Sequence, residues 1–199
     1  MIDAIIFDIG NVLLRFDFSW TIRRIAPFCS VAPSEIHGLL EPWKNQLESG
    51  RICGEAFLKE AAAVVGYRGE MTELRLAWQE IFAPIEATHR LVERWHGKRP
   101  LYLLSNTNDL HAEYFLNQYS VFGLFENAVY SHEVGLMKPD AAIYAHTLEK
   151  FRLEAGRTLF IDDLAPNVES ARASGLVVHH YHEQRHEALL EQAGGLGLM

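Results

Sequence analysis

Three short apolar runs, Ala4–Phe7, Leu101–Leu104 and Thr158–Ile161, each give way abruptly to small or acidic polar residues: Asp8, Ser105-Asn106 and Asp162-Asp163. Runs of this length are too short for helices and read as buried strands. Helical patterns at about 88–96, 109–119, 140–151 and 167–173 alternate with them, and further short strands are expected at 128–130 and 176–178. Strands alternating with helices predict an α/β protein built on a doubly wound parallel sheet. The block from about 18 to 82 breaks this rhythm. It reads as almost wholly helical, with Pro33-Ser34-Glu35 opening one helix, Cys53-Gly54-Glu55 another that Gly66 closes, and Thr72 a third. It lies between the first strand and the others, as an insertion does.

In open parallel α/β sheets, ligands bind just beyond the carboxyl ends of the strands. If the three runs are neighbours, Asp8, Ser105, Asp162 and Asp163 converge there, and Lys138, just before Pro139, is positioned to reach the same crevice. Carboxylates held together repel unless a cation or a proton offsets them. An all-oxygen donor set suits Mg²⁺, which binds through one or two carboxylates plus water and substrate phosphate. A carboxylate beside a metal and a lysine is equipped to attack phosphorus, with charge neutralisation as the main catalytic device.

The ordered set Phe7-Asp8-Ile9-Gly10-Asn11-Val12-Leu13, Leu104-Ser105-Asn106-Thr107, Gly135-Leu136-Met137-Lys138-Pro139-Asp140 and Phe160-Ile161-Asp162-Asp163 resembles the four motifs of the haloacid dehalogenase-like hydrolases. The wording of the first two is most similar to a sub-group that contains an alpha-D-glucose-1-phosphate phosphatase. The resemblance implies a Rossmann-like catalytic core over residues 1–15 and 86–199 and a helical cap over 16–85. It implies a Mg²⁺-dependent phosphatase acting on a small phosphorylated metabolite, such as a sugar phosphate, through an aspartyl-phosphate. Asp8 is then the nucleophile and a metal ligand, with the Gly10 carbonyl and Asp163 as further ligands and Asp162 acting directly or through a water. Ser105, Asn106 and Lys138 hold the transferring phosphoryl group, and Lys138 also screens it from Asp8.

One departure matters. Most phosphatases of this kind carry a second aspartate two residues after the nucleophile, and here that position is Gly10. Losing a general acid–base costs roughly 10²–10⁴ in rate when the leaving group needs a proton. A leaving group more acidic than an ordinary alcohol, such as an anomeric hydroxyl, would need less help. Asp17 is the nearest carboxylate in sequence, with a loop role the expected one. Two alternatives follow from Gly10: a phosphate-sensing or protein-interaction module, and a metal-free dehalogenase, against which the uncompensated Asp162-Asp163 pair argues.

The remaining features are expected to be structural. Lys and Arg number 18 against 26 Asp and Glu, for a net charge of −8, so nucleic acid and anionic membranes are unexpected partners. No leader or membrane-spanning run is read in the sequence, and a cytoplasmic protein is expected. Cys29 and Cys53 read as apolar fillers and Trp20, Trp43, Phe57 and Trp78 as packing residues. The histidines at 179, 180, 182 and 186 read as solvated rather than metal-binding. Oligomeric state stays open, with a monomer sufficient.

Overall fold

Alternation within the strands decides the layering. In the computed structural model, which describes residues 1–199, the strands are β1 (Ala4–Phe7), β2 (Leu14–Phe16), β3 (Phe82–Pro84), β4 (Leu101–Ser105), β5 (Asn127–Tyr130), β6 (Thr158–Asp162) and β7 (Val177–His180). Five of them form a parallel sheet in the order β5-β4-β1-β6-β7. Successive side chains point to opposite faces. Ile5, Phe7, Leu103 and Ile161 accordingly pack with Trp95, Phe115 and Tyr181 on one face, while Ile6, Leu104 and Phe160 pack with Ile143 and Tyr144 on the other.

The helices are α1 (Phe18–Ile25), α2 (Pro33–Glu48), α3 (Gly54–Val65), α4 (Met71–Gln79), α5 (Glu86–Trp95), α6 (Asp109–Gln118), α7 (Ser131–Val134), α8 (Ala141–Phe151), α9 (Ala165–Ala173) and α10 (His186–Gly195). None is long and apolar enough to cross a membrane. Helices α1 to α4 build a hydrophobic cluster of their own around Ile36, Leu40, Phe57 and Leu74, joined by Leu110 from α6. They leave and rejoin the sheet layer through an antiparallel ribbon, in which Leu14 of β2 faces Pro84 of β3. The sequence reading missed both ribbon strands, since three-residue strands are too short to show a period. It also missed α10. There Leu189 and Ala193 are buried, and Trp95 Nε1 donates to the Leu198 carbonyl at 2.8 Å, fixing the glycine-rich tail. Pro139 stands just before the N-cap of α8 and is not part of the helix. Asp140 is the N-cap, accepting from the Ala142 N–H at 3.0 Å.

The helical layer is latched to the sheet layer at named points. The Gly54 N–H, at the start of α3, donates to the Asp109 carboxylate at 2.9–3.0 Å, an acidic side chain against a helix N-terminus. Gln79 Nε2 donates to the Leu110 carbonyl at 2.9 Å, and Ser131 Oγ to the Glu48 carbonyl at 2.5 Å. Gly50 follows α2 with φ +69°, and a Cβ there would stand 2.1 Å from the His132 carbonyl oxygen. Only a glycine fits that turn in this docked arrangement.

Candidate active site

The register brings the chain ends to one level. Phe7 pairs with Leu103 on one side and with Ile161 on the other, so Asp8 emerges from the central strand between the ends of β4 and β6. This is where the strand order reverses, and a ligand crevice is expected there. Lys138 arrives from the turn before α8 with its ammonium 2.8 Å from Asp8 Oδ1 and 2.7 Å from Asp162 Oδ2, also donating to the Leu104 carbonyl at 3.1 Å. The lysine and both carboxylates are buried. Oxygens of Asp8, Asp162 and Asp163 lie within 4.8 Å of one another.

The three carboxylates have different surroundings. Asp162 is fully buried, and its oxygens are taken by Lys138, by the Leu164 N–H at 2.8 Å and by Asn167 Nδ2 at 3.0 and 3.1 Å. It is therefore placed to hold Lys138 rather than to meet a ligand, and Asn167 orients it. Asp163 is half-buried and accepts from Asn11 Nδ2 at 3.1 Å. Asn11 has φ +52°, a conformation that asparagine tolerates better than most residues. Burial, then the neighbouring Asp162, holds the Asp163 carboxyl above its ordinary range against the pull of Asn11 and Lys138. Asp8 is pushed up to about 7 by burial, with Asp162 and Asp163 adding to the rise and Lys138 opposing it. Burial alone would lower the Lys138 ammonium, but Asp8 and Asp162 outweigh it and hold it above its ordinary value. Three carboxylates facing one ammonium leave the site short of positive charge. An all-oxygen donor set of this kind fits a hard divalent cation.

Ser105 is buried beside this cluster, its hydroxyl making one contact at 3.5 Å to the Asn106 carbonyl, the outer limit of a hydrogen bond. Asn106 differs from expectation in how its side chain is used. Its Nδ2 donates to the Lys138 carbonyl at 2.8 Å and its Oδ1 accepts from the Lys138 N–H at 2.9 Å, so the amide ties the β4 loop to the lysine turn. Gly10 has no side chain, and a Cβ built there would lie 3.2 Å from the Phe16 ring. The space where a second aspartate would stand is next to an aromatic residue.

Other residues fall outside the cluster. Asp17 caps α1, its carboxylate accepting from the Ser19 N–H at 2.8 Å. Of the C-terminal histidines, His179 is buried against Gln192 at 2.7 Å, while His180 Nε2 lies 2.8 Å from the Asp163 carbonyl and borders the acidic loop. Cys29 is half-buried, and its thiol donates to the Ile25 carbonyl at 3.3 Å. Cys53 is exposed and so is no filler.

Beside the cluster a cleft of about 200 Å³ opens between the two layers, with Gly10, Ser105, Asn106 and Thr107 at one end. Glu48, at the end of α2, also lines it, and burial holds that carboxyl above its ordinary range. Sequence reasoning passed over Glu48 because nothing marks one glutamate in an acidic helix until the turn at Gly50 docks it beside Ser131.

A parallel sheet carrying acidic residues at the ends of adjacent strands, covered by a helical layer, is the frame of a group-transfer or hydrolytic enzyme. The chain belongs to the haloacid dehalogenase-like hydrolase family, whose pattern matches residues 2–175. It is 24% identical over 189 residues to D-ribitol-5-phosphate phosphatase of Bacteroides thetaiotaomicron, covering 88% of this chain and 89% of the relative. It is 25% identical over 185 residues to the sesquiterpene phosphatase astK of Aspergillus oryzae, with 89% and 88% covered. Among solved structures, HAD family enzyme BT-2542 of Bacteroides thetaiotaomicron, in complex with magnesium and inorganic phosphate, superposes with a TM-score of 0.80 at 22% identity, over 92% of this chain and 96% of that one.

Proposed function

We propose that the protein hydrolyses a small phosphate monoester through an aspartyl-phosphate on Asp8. The observation that carries this reading is the Lys138 ammonium held between Asp8 and Asp162 beside the open hydroxyl of Ser105. Two relatives bearing phosphatase names support a phosphate ester, and their names differ widely in the alcohol. A metal-free dehalogenase reading suits the crowding of three carboxylates poorly.

Asp8 attacks phosphorus, the bond to the alcohol oxygen breaks, and water then cleaves the acyl phosphate. Lys138 offsets the charge of Asp8 so that a phosphate dianion can approach, and Ser105 donates to a phosphoryl oxygen. Asp162 and Asn167 position Lys138. Asp8, the Gly10 carbonyl and Asp163 would hold Mg²⁺, which supplies positive charge to the phosphoryl oxygens when bound. With glycine at position 10, Glu48 is the acid we assign to the leaving oxygen. It lines the same cleft as Gly10 and the Ser105 loop, and its raised carboxyl suits proton donation. As the carboxylate it then takes a proton from the attacking water.

Phosphate release from a panel of monoesters, with and without Mg²⁺, tests the activity, and turnover is expected to depend on the metal. A panel without turnover, or one indifferent to Mg²⁺, removes the reading. Glu48→Gln tests the acid separately. Esters of ordinary alcohols are expected to lose roughly 10²–10⁴ in kcat/KM, whereas p-nitrophenyl phosphate, whose leaving group needs no proton, loses far less. Equal losses on both substrates, or none, would take the role from Glu48 and leave an intrinsically acidic leaving group as the explanation of Gly10.

A further inference from the structure

The cleft that starts at the phosphate loop has a markedly aromatic wall. Nine of its nineteen lining residues are hydrophobic, among them Phe16, Phe18, Leu40, Trp78, Ile81 and Phe82. Three of its polar side chains, Asn106, Asn108 and His111, are spent on the protein itself. Asn108 Oδ1 accepts from the His111 N–H at 3.0 Å, and its Nδ2 lies 3.0 Å from His111 Nδ1. His111 Nε2 lies 3.1 Å from the Trp78 carbonyl, burial pushes the imidazole down to about 4, and the ring is therefore neutral near pH 7. Asn106 is tied to Lys138 as described. His37, Glu41 and Lys44, which also line the cleft, are exposed. Trp78 contributes its ring to the wall, and its Nε1 is buried without a hydrogen-bond partner. Phe16 is 49% exposed beside Gly10, an aromatic surface left open where the alcohol half of the ester would emerge.

A sugar or polyol brings several hydroxyl groups, and buried hydroxyls without partners are costly. Away from the exposed His37, Glu41 and Lys44, this cleft offers them little beyond Thr107 and the Glu48 carboxyl. Aromatic and aliphatic walls instead gain from covering apolar surface, and aromatic rings pack favourably on one another. Resting on the phosphatase reading, we propose that the cleft selects monophosphate esters of compact, ring-bearing apolar alcohols in preference to sugar or polyol phosphates. The loop at Ser105 takes the phosphate, and the face made by Phe16, Phe18 and Trp78 takes the ring.

The test compares benzyl phosphate with glucose 6-phosphate and glycerol 3-phosphate, all esters of primary alcohols, and adds glucose 1-phosphate, at saturating Mg²⁺. We expect kcat/KM for benzyl phosphate to exceed that of each sugar or glycerol ester at least about tenfold, mainly through KM. Phe16→Ser, at an exposed position that the fold does not need filled, is expected to shrink the ratio. A ratio at or below one, or a ratio unmoved by Phe16→Ser, overturns the inference while leaving the phosphatase intact. No metal-dependent turnover of any ester overturns both.

Discussion

Asp8→Asn is expected to lower kcat for phosphate release by roughly 10⁴-fold or more, as removal of a covalent nucleophile does elsewhere. Asparagine keeps the shape of the side chain but lacks the anionic oxygen that would attack phosphorus. The same substitution is not expected to destabilise the metal-free protein. Asp8 has a folded pKa raised to about 7 from an ordinary 3.8, chiefly by burial. A raised carboxyl pKa means that the native state disfavours the charged form. The penalty is absent below about pH 4, grows as pH rises, and is complete above about 7. Asp8→Asn removes it, so the variant's Tm relative to the native protein is expected to be highest near pH 8 and to converge on acidification. Lys138 keeps Asp162 as a partner throughout. Initial rates and thermal melts at several pH values check both halves. Turnover within tenfold of the native enzyme would place the nucleophile elsewhere, and a Tm deficit that deepens above pH 7 would show that the Asp8 charge stabilises the fold.

The strand ends of the candidate site were legible because chemistry and topology leave the same mark. A buried strand must be apolar, so the first polar residue after Phe7, Leu104 or Ile161 stands out, and a parallel sheet then puts those residues side by side. What each side chain does after arriving was not legible. Asp162 and Asp163 are neighbours in sequence, yet one is saturated by Lys138, Leu164 and Asn167 and the other is open to Asn11. Asn106 spends its amide on the backbone of Lys138, a contact across 32 positions that no local pattern reports. Trp78, expected to be packing alone, packs against Phe57 with ring centroids 4.4 Å apart and also lines the cleft. Helical periodicity could not separate those roles, because the inner face of α4 meets α1, α3 and α6 at once and only the docking of the helical layer on α6 decides which part of it borders the opening.

Lys138→Ala carries the largest expected effect on the fold. Lys138 is 4% exposed as a residue, and its ammonium lies against Asp8 and Asp162, the second of which is fully buried. Removing one partner of a buried ion pair leaves uncompensated charge and costs about 3–5 kcal/mol. In a chain of 199 residues that corresponds to a fall in Tm on the order of 10 °C. The deficit should depend on pH in a defined direction. Without Lys138 the repulsion among Asp8, Asp162 and Asp163 is unopposed, so the folded pKa of Asp8 rises further above about 7. The variant then loses stability relative to the native protein as pH rises from about 4 through 8, and recovers it as the carboxyls are protonated. Added Mg²⁺ is expected to raise the variant's Tm, because positive charge at Asp8 and Asp163 replaces part of what the lysine supplied. Activity is not expected to return with it, since in the proposed mechanism Lys138 also lets a phosphate dianion approach Asp8. Differential scanning calorimetry across pH, with and without Mg²⁺, reads all of this. A deficit independent of pH would mean that Lys138 acts through packing against Phe160 and the Leu104 carbonyl rather than through charge. Full recovery of turnover with metal alone would show that the lysine is a structural counter-ion and nothing more.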